Sequence, residues 1–145
     1  MRCWQMIAAS VPGASHLARG LPCQDTYRVE EVAKGGMIAA LADGLGSARC
    51  AERGAQVAVD AAVITLRAAL NTRLPKREKA WRRLLPQAFG AARAALSNRA
   101  ARDAAPLTDY ATTLLVAVVT KRWLAVGQIG DGAVVAQLGN KAVLV

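Results

Sequence analysis

The sequence predicts an α+β domain with largely antiparallel sheets. Three strand-like segments come first, two long Ala-rich segments typical of helices follow, and four further strand-like segments come last. A doubly wound parallel sheet needs strands that alternate with helices. Because the strand-like segments are grouped instead, the order favours antiparallel pairing. The length of 145 residues fits a single domain.

The first predicted strands flank a loop rich in glycine and proline. Residues 3–11 and 26–32 have the apolar or alternating character of strands. Residues 12–25 between them contain two prolines and two glycines, which predict a loop. Residues 34–36 (Lys-Gly-Gly) predict a hairpin turn. Residues 37–42 are then uniformly apolar, as expected of a strand that is buried on both faces.

Two helices are predicted in the middle of the chain. Residues 48–70 carry alanine and leucine near the helical spacing of about 3.6 residues, and Ser47 is a plausible N-cap. A second helix is predicted from about residue 76 to residue 102, with Pro86 either kinking it or splitting it in two.

Four strands are predicted to follow as two hairpins. Residues 110–120 and 123–129 are rich in valine, leucine and threonine and predict the first hairpin. Residues 134–138 and 142–145 predict the second. Since the last predicted strand runs to Val145, we expect this chain to be the N-terminal part of a larger domain whose C-terminal part is absent.

The net charge of +9 comes from one part of the sequence. Between Arg67 and Arg102 there are ten lysines and arginines against a single acid, Glu78. We expect a solvated basic face on two surface helices. Such a face could also attract a phosphorylated partner, an acidic membrane surface or nucleic acid. The block lacks interleaved aromatic residues and helix-turn-helix spacing, so nucleic acid is disfavoured, and no membrane partner is expected.

Cysteine usage and hydropathy indicate a cytoplasmic protein. Cys3, Cys23 and Cys50 form neither a CxxC metal pair nor an even disulfide framework, which suits a reducing compartment. No apolar run approaches the roughly 20 residues that a membrane-spanning helix needs.

Three aspartates stand at the ends of predicted strands. Asp43 ends a buried strand and is followed by Gly44, while Asp25 precedes a strand and Asp131 lies between two. Taken singly, each is most simply a turn residue, because Asp beside Gly is common turn chemistry. An antiparallel sandwich could bring these strand ends together. Carboxylate and backbone carbonyl oxygens would then form a cluster suited to Mg²⁺ or Mn²⁺.

His16 and Arg19 lie in the loop that precedes Asp25. They could serve as a proton donor and a phosphate-binding cation, or they could be exposed loop residues. The sequence contains no GxSxG, P-loop or Cys-x5-Arg pattern. A serine hydrolase, a P-loop NTPase and a cysteine phosphatase therefore have no support.

Four segments, taken together and in order, resemble the bacterial branch of the PPM/PP2C-type metal-dependent serine/threonine protein phosphatases. Residues 13–25 are similar to its GxSHxxxGxPxQD opening, and residues 42–47 to its ADGxGS motif. Residues 110–115 are similar to its Thr-rich strand, and residues 126–132 to its VGDS-like motif. These segments are spread over nearly the whole chain.

The resemblance implies an α-β-β-α sandwich of two antiparallel sheets flanked by helices, present over residues 1–145 as an incomplete N-terminal part. It also implies two Mg²⁺ or Mn²⁺ ions at one end. Asp43 would bridge both ions, and the Gly44 carbonyl would bind one. Asp25 would act through water in the outer coordination shell, and Asp131 would lie near a third, weaker metal position.

The resemblance further implies hydrolysis of phosphoserine and phosphothreonine in a phosphoprotein, such as the substrate of a cognate serine/threonine kinase. The attack uses metal-activated water, and no phosphoenzyme forms. Arg19 lies one position from the commonest spacing of the family's phosphate-binding arginine, and His16 is a second candidate for phosphate contact.

The family's remaining metal aspartates come from a C-terminal half, so this chain alone is expected to be inactive. The alternative is a pseudophosphatase module that holds a phosphorylated or acidic partner on the basic helices.

Overall fold

Two antiparallel sheets and their helices form the structure. The computed structural model describes residues 5–20, 22–33 and 35–145, without the side chains of Ser15 and Leu138. Strands β1 (Asp25–Val32), β2 (Gly36–Asp43), β3 (Leu114–Thr120) and β4 (Leu124–Ile129) form a four-stranded sheet in that order. Strands β5 (Val135–Leu138) and β6 (Lys141–Leu144) form a two-stranded sheet. The helices are α1 (Ala14–Ala18), α2 (Ala51–Thr72) and α3 (Glu78–Arg102), with a 3₁₀ turn at Leu107–Tyr110. The predicted fold class is confirmed.

Helices α2 and α3 cover one face of the four-stranded sheet. In β2, Ile38 and Ala40 are fully buried on that face, whereas Leu41 on the other face is 49% exposed. This is the period-two alternation of a strand with one covered face. Helix α2 places small and β-branched side chains on the sheet, and these are almost completely buried: Ala55, Ala58, Val59, Ala62 and Val63. Small side chains let the helix pack close to the strands.

Charged side chains join α2 to strand β1, in addition to the apolar core that includes Val32. The Arg28 guanidinium donates to Asp60 of α2 at 2.7 Å and also pairs with Glu30 on its own strand. Arg67 of α2 donates to the second oxygen of Glu30 at 2.6 Å. Hydrogen bonding from Arg28 is the main cause that lowers the pKa of Glu30 below its usual value. The network therefore links the sheet to its covering helix.

The first predicted strand, residues 3–11, is wrong in its described part. Residues 5–11 form no strand, and Ile7 and Val11 are 100% and 74% exposed. A strand needs a partner for its backbone groups, and the contact of this segment with β1 is instead through a side chain, since the Ser10 hydroxyl donates to the Asp25 carbonyl at 3.1 Å. Residues 3 and 4 lie outside the described residues.

The predicted N-cap at Ser47 is also wrong. Helix α2 begins at Ala51, and its N-cap is Cys50. The Cys50 backbone N–H donates to the Asp109 carbonyl at 2.8 Å, so a tertiary contact fixes the chain at this point. Residues 46–50 are consequently turns and a bend.

Most of the remaining boundaries are confirmed within a few residues. Helix α3 is continuous through Pro86, so the predicted helix is not split. Strand β3 starts at Leu114 rather than residue 110, because a 3₁₀ turn occupies residues 107–110. The turn before β2 uses Gly35 at φ +81°, while Lys34, also part of that prediction, lies outside the described residues.

Two further findings concern the described ranges only. None of their helices combines the length and the apolar character needed to cross a bilayer. Cys23 and Cys50 are free thiols, and Cys3 lies outside these ranges.

Two helical glycines give opposite expectations for stability. A Cβ at Gly54 in α2 would lie 2.4 Å from the Tyr110 carbonyl oxygen, whereas a Cβ at Gly90 in α3 would meet nothing within 4 Å. We expect Gly54→Ala to lower the free energy of unfolding by about 1–3 kcal/mol through overpacking. Gly90→Ala should raise it by about 0.5–1 kcal/mol because alanine restricts the unfolded chain. Urea unfolding followed by circular dichroism measures both, and a Gly54→Ala variant as stable as the parent contradicts the expectation.

Candidate active site

Asp25 and Asp43 face each other across the end of the β1–β2 ladder. Asp25 is the first residue of β1, Asp43 is the last residue of β2, and the register pairs them directly. Cross-strand partners of an antiparallel ladder share one face, with Cβ atoms about 5 Å apart. The hairpin therefore brings two carboxylates together at one end of the sheet.

Two threonines hold the backbone of Asp43. The Asp43 N–H donates to Thr113 Oγ1 at 2.9 Å. The Asp43 carbonyl accepts from the Thr112 hydroxyl and from the Thr113 N–H, both also at 2.9 Å. All polar backbone groups of Asp43 are thus satisfied by this pair, which we call the threonine clamp. In the sequence, Thr112 and Thr113 belong to the segment that resembles the family's Thr-rich strand, but nothing in the sequence predicts a role for either hydroxyl.

Two glycines allow close approach around the clamp. The Gly44 N–H donates to the Gln24 carbonyl at 3.1 Å, and a Cβ at Gly44 would lie 2.7 Å from the Ala51 backbone. Gly130 has φ +111°, and a Cβ there would lie 2.5 Å from Thr113 Cγ2. Gly130 therefore brings the chain against the clamp one residue before Asp131.

Tyr110 anchors the segment that carries the clamp. Its ring is fully buried, and its hydroxyl donates to the Asp103 carboxylate beyond the end of α3. Asp103 also accepts from Arg99 at 2.8 Å and pairs with Arg53 of α2 at 3.3 Å. These contacts, with Arg99 first, lower the pKa of Asp103 to about 2. The clamp is therefore tied to both long helices.

A cavity of about 570 Å³ lies at this end of the sheet. Asp25, Asp43 and Asp131 all line it, together with Thr113. Apolar residues of the uncovered sheet face also form its wall, notably Tyr27, Leu41 and Leu115, as do residues 9–11 and 132–135. The structure therefore brings all three aspartates that the sequence singled out to one cavity.

The electrostatics of Asp43 reflect its acidic neighbours. Burial raises the pKa of Asp43 above its usual value of 3.8, and a hydrogen bond with Asp25 and the charges of Asp25 and Asp131 raise it further. His16 of α1 is near enough to lower it. A divalent cation among these carboxylates would reverse the effect by favouring their charged forms.

The other predicted site residues lie around this cavity or apart from it. His16 is half-buried in α1, and Arg19 is the exposed C-cap of the same helix. Neither lines the cavity, and neither does Gly44. Phosphate contact by His16 or Arg19, and metal binding by the Gly44 carbonyl, stay predictions.

The carboxylates fit part of a metal site. Their oxygens are the hard ligands that Mg²⁺ and Mn²⁺ prefer. Within the described ranges, however, no group of three or more His, Cys, Asp or Glu side chains has an arrangement that could hold a metal ion. Mg²⁺ demands near-ideal octahedral coordination. The donors present therefore suit one side of a divalent-cation site and do not complete it.

Most of the chain matches a known protein family. A family model described as protein phosphatase 2C matches residues 12–145 of the chain. A search of curated proteins finds no match.

The facing carboxylates generate a prediction about stability without metal. At pH 7 we expect Asp43→Asn to raise the free energy of unfolding by about 0.5 kcal/mol, because it removes like-charge repulsion across the ladder. The folded-state pKa of Asp43 is raised, so the unfavourable charge is present above that pKa and disappears as pH falls below 3.8. The advantage of the variant should therefore be lost at about pH 3.

Urea unfolding of the metal-free chain at the two pH values measures this effect. Glu31→Gln is the matched control, since Glu31 is exposed on β1 of the same hairpin and pairs with Met37 rather than an acid. An equal gain in both variants at pH 7 would show that the effect is one of net charge alone.

Proposed function

Because the chain belongs to the protein phosphatase 2C family, we propose that its domain hydrolyses phosphoserine and phosphothreonine in proteins, using divalent metal ions at the acidic end of the sheet. The family acts on phosphoprotein substrates and is generally metal-dependent. The observation that carries the proposal for this chain is the convergence of Asp25, Asp43 and Asp131 on one cavity.

The proposed metal ligands are those implied by the family motifs. Asp43 and the Gly44 carbonyl would hold Mg²⁺ or Mn²⁺ directly. Asp25 would contribute through water, and Asp131 would contribute to a further, weaker position. When bound, such ions lower the pKa of water and neutralise charge as a phosphate ester breaks.

The protein's own groups bind and orient the substrate in this proposal. His16 lies close enough to Asp43 to affect its pKa, which supports a role as a phosphate contact or as a proton donor to the leaving oxygen. Arg19, on the same helix, binds the phosphate. The apolar walls of the cavity contact the substrate around the phosphorylated side chain. The substrate is a phosphoprotein, such as the product of a serine/threonine kinase.

The ligand set requires donors from outside the described residues. Three aspartates that form no complete metal-binding group are too few to hold two ions against water. We therefore propose that activity belongs to a complete domain, and that this chain alone binds metal weakly and is close to inactive.

The test measures Mn²⁺ binding and phosphate release separately. The chain should bind Mn²⁺ weakly, with a Kd of about 0.1–1 mM, and binding should be lost in Asp43→Asn and kept in Glu31→Gln. Electron paramagnetic resonance of free Mn²⁺ reports this directly. Phosphate release from a phosphothreonine peptide should be near zero for the chain alone.

A second experiment tests residues 12–145 within an active enzyme. Residues 12–145 replace the matching region of an active protein phosphatase 2C, and the chimera should release phosphate in a manner that depends on Mn²⁺ and Asp43. A chimera that folds and binds Mn²⁺ without hydrolysis contradicts the proposed catalytic function. Strong activity of the chain alone contradicts the proposal that further ligands are needed.

A binding function is the second candidate, and one observation favours it. Arg77, Lys79 and Arg83 line a shallow pocket of about 410 Å³ at the start of α3, and none has an acidic partner among the described residues. A phosphorylated or acidic polypeptide would complement this surface.

The binding candidate predicts a complex that resists chelation. An acidic peptide should bind with an affinity that falls steeply with salt and is unchanged by EDTA. Arg83→Glu should weaken binding about tenfold, while the exposed Lys141→Glu, on β6, serves as control. Fluorescence anisotropy measures each affinity, and equal effects of the two variants would count against a specific surface.

A further inference from the structure

The cavity that Asp25, Asp43 and Asp131 line is called the acidic cavity below. Behind it, on the helix-covered side of the sheet, lies an apolar pocket of about 530 Å³. It opens between α3, the 3₁₀ turn and the ends of β3 and β4. Its walls are mainly large apolar side chains: Phe89, Leu96, Leu107, Leu114 and Ile129. Its volume falls within the range of about 300–1,000 Å³ that is typical of small-molecule sites.

Gly90 helps to keep this pocket open. It lies within α3 and lines the pocket, and a Cβ at this position would meet nothing within 4 Å. Glycine inside a helix costs about 1 kcal/mol relative to alanine. No close backbone approach among the described residues requires glycine here. A larger side chain would instead occupy space that the structure leaves empty.

The edge of the pocket combines exposed apolar surface with one cation. Ile129 and Leu107 are 61% and 38% exposed. Arg93 is exposed, lines the same pocket, and has no acidic partner within the described ranges. An apolar interior with a single charged group at its edge complements a ligand with an apolar body and one anionic head.

We propose that this pocket binds a small amphipathic carboxylate, of the type of a medium-chain fatty acid. The alkyl chain lies among Phe89, Leu96 and Leu114, where it removes apolar surface from water. The carboxylate pairs with the Arg93 guanidinium, which can donate two parallel hydrogen bonds to it. The carboxylate stays near solvent, so its desolvation cost is small.

The choice of an amphipathic carboxylate follows from the single cation and the mainly apolar wall of the pocket. Arg93 is the cation that lines the pocket, together with the hydroxyls of Thr108, Tyr110 and Thr112. The Tyr110 hydroxyl donates to Asp103 and the Thr112 hydroxyl to the Asp43 carbonyl, so both are already engaged. A phosphate-rich ligand would leave most of its charge uncompensated, and a neutral hydrocarbon would leave Arg93 unused. The proposal does not depend on phosphatase activity, because it concerns binding to a separate surface.

The test compares octanoate with 1-octanol, which has the same chain length and no charge. Isothermal titration calorimetry with the full chain, free of metal, should show octanoate binding more tightly than octanol. Arg93→Gln should weaken octanoate about tenfold and leave octanol unchanged. Gly90→Leu should weaken both at least tenfold, because the added side chain fills the pocket.

Arg102→Gln is the matched control, since Arg102 is an exposed arginine of α3 outside the lining of this pocket. Circular dichroism and urea unfolding confirm that each variant folds, and leucine is a good helix former at an unobstructed position. Absence of octanoate binding overturns the proposal. Binding that survives Gly90→Leu, or that Arg102→Gln weakens as much as Arg93→Gln, also overturns it. Mn²⁺ binding and phosphate release test the proposed function independently.

Discussion

The direct pairing of Asp25 with Asp43 is the constraint on which the site depends. Like charges opposite each other in a ladder are destabilising, by up to about 1 kcal/mol. The surrounding structure nevertheless fixes this arrangement. Three hydrogen bonds from the threonine clamp satisfy the Asp43 backbone, and Gly44 lets the first turn of α2 pack against the same point. Functional sites typically combine charge repulsion of this kind with neighbouring groups whose hydrogen bonds are satisfied.

The threonine clamp also connects the two cavities. Thr113 lines the acidic cavity, while Thr112 lines the apolar pocket and donates to the Asp43 carbonyl. Tyr110, two residues earlier, lines that pocket and is tied through Asp103 to both long helices. A short segment between α3 and β3 therefore forms a common wall. A ligand on one side can affect the other only if it favours one arrangement of this wall over another.

Local sequence patterns predicted the long helices, most strands and the residues at the strand ends. Tertiary contacts determined the features that these patterns missed. The alternation in β2 and the helical spacing of α2 are set by nearby residues, and both predictions are confirmed. The strand predicted at residues 3–11 failed in its described part because pairing needs an edge that no local pattern reveals. Ser47 failed as a cap because the Asp109 carbonyl, far away in sequence, fixes Cys50. The positions of the three aspartates at strand ends already suggested a carboxylate cluster, and the motif resemblance supplied their proposed metal-binding roles. Taken singly, each of them remained a turn residue.

The distribution of ion pairs gives the physical ground for a cation at the acidic end. The chain has 19 basic and 10 acidic residues, so basic partners are in excess. Five acids form salt bridges in the described ranges: Glu30, Asp60, Glu78, Asp103 and Asp109. Asp25, Asp43 and Asp131 form none with a lysine or arginine of those ranges, although they share one cavity. A fold that only needed stability could place one of its many arginines among them, as it does at Asp103. Because no lysine or arginine of the described ranges pairs with this cluster, we expect its charge to be balanced by an exchangeable cation. A divalent cation matches the oxygen donors of the cluster.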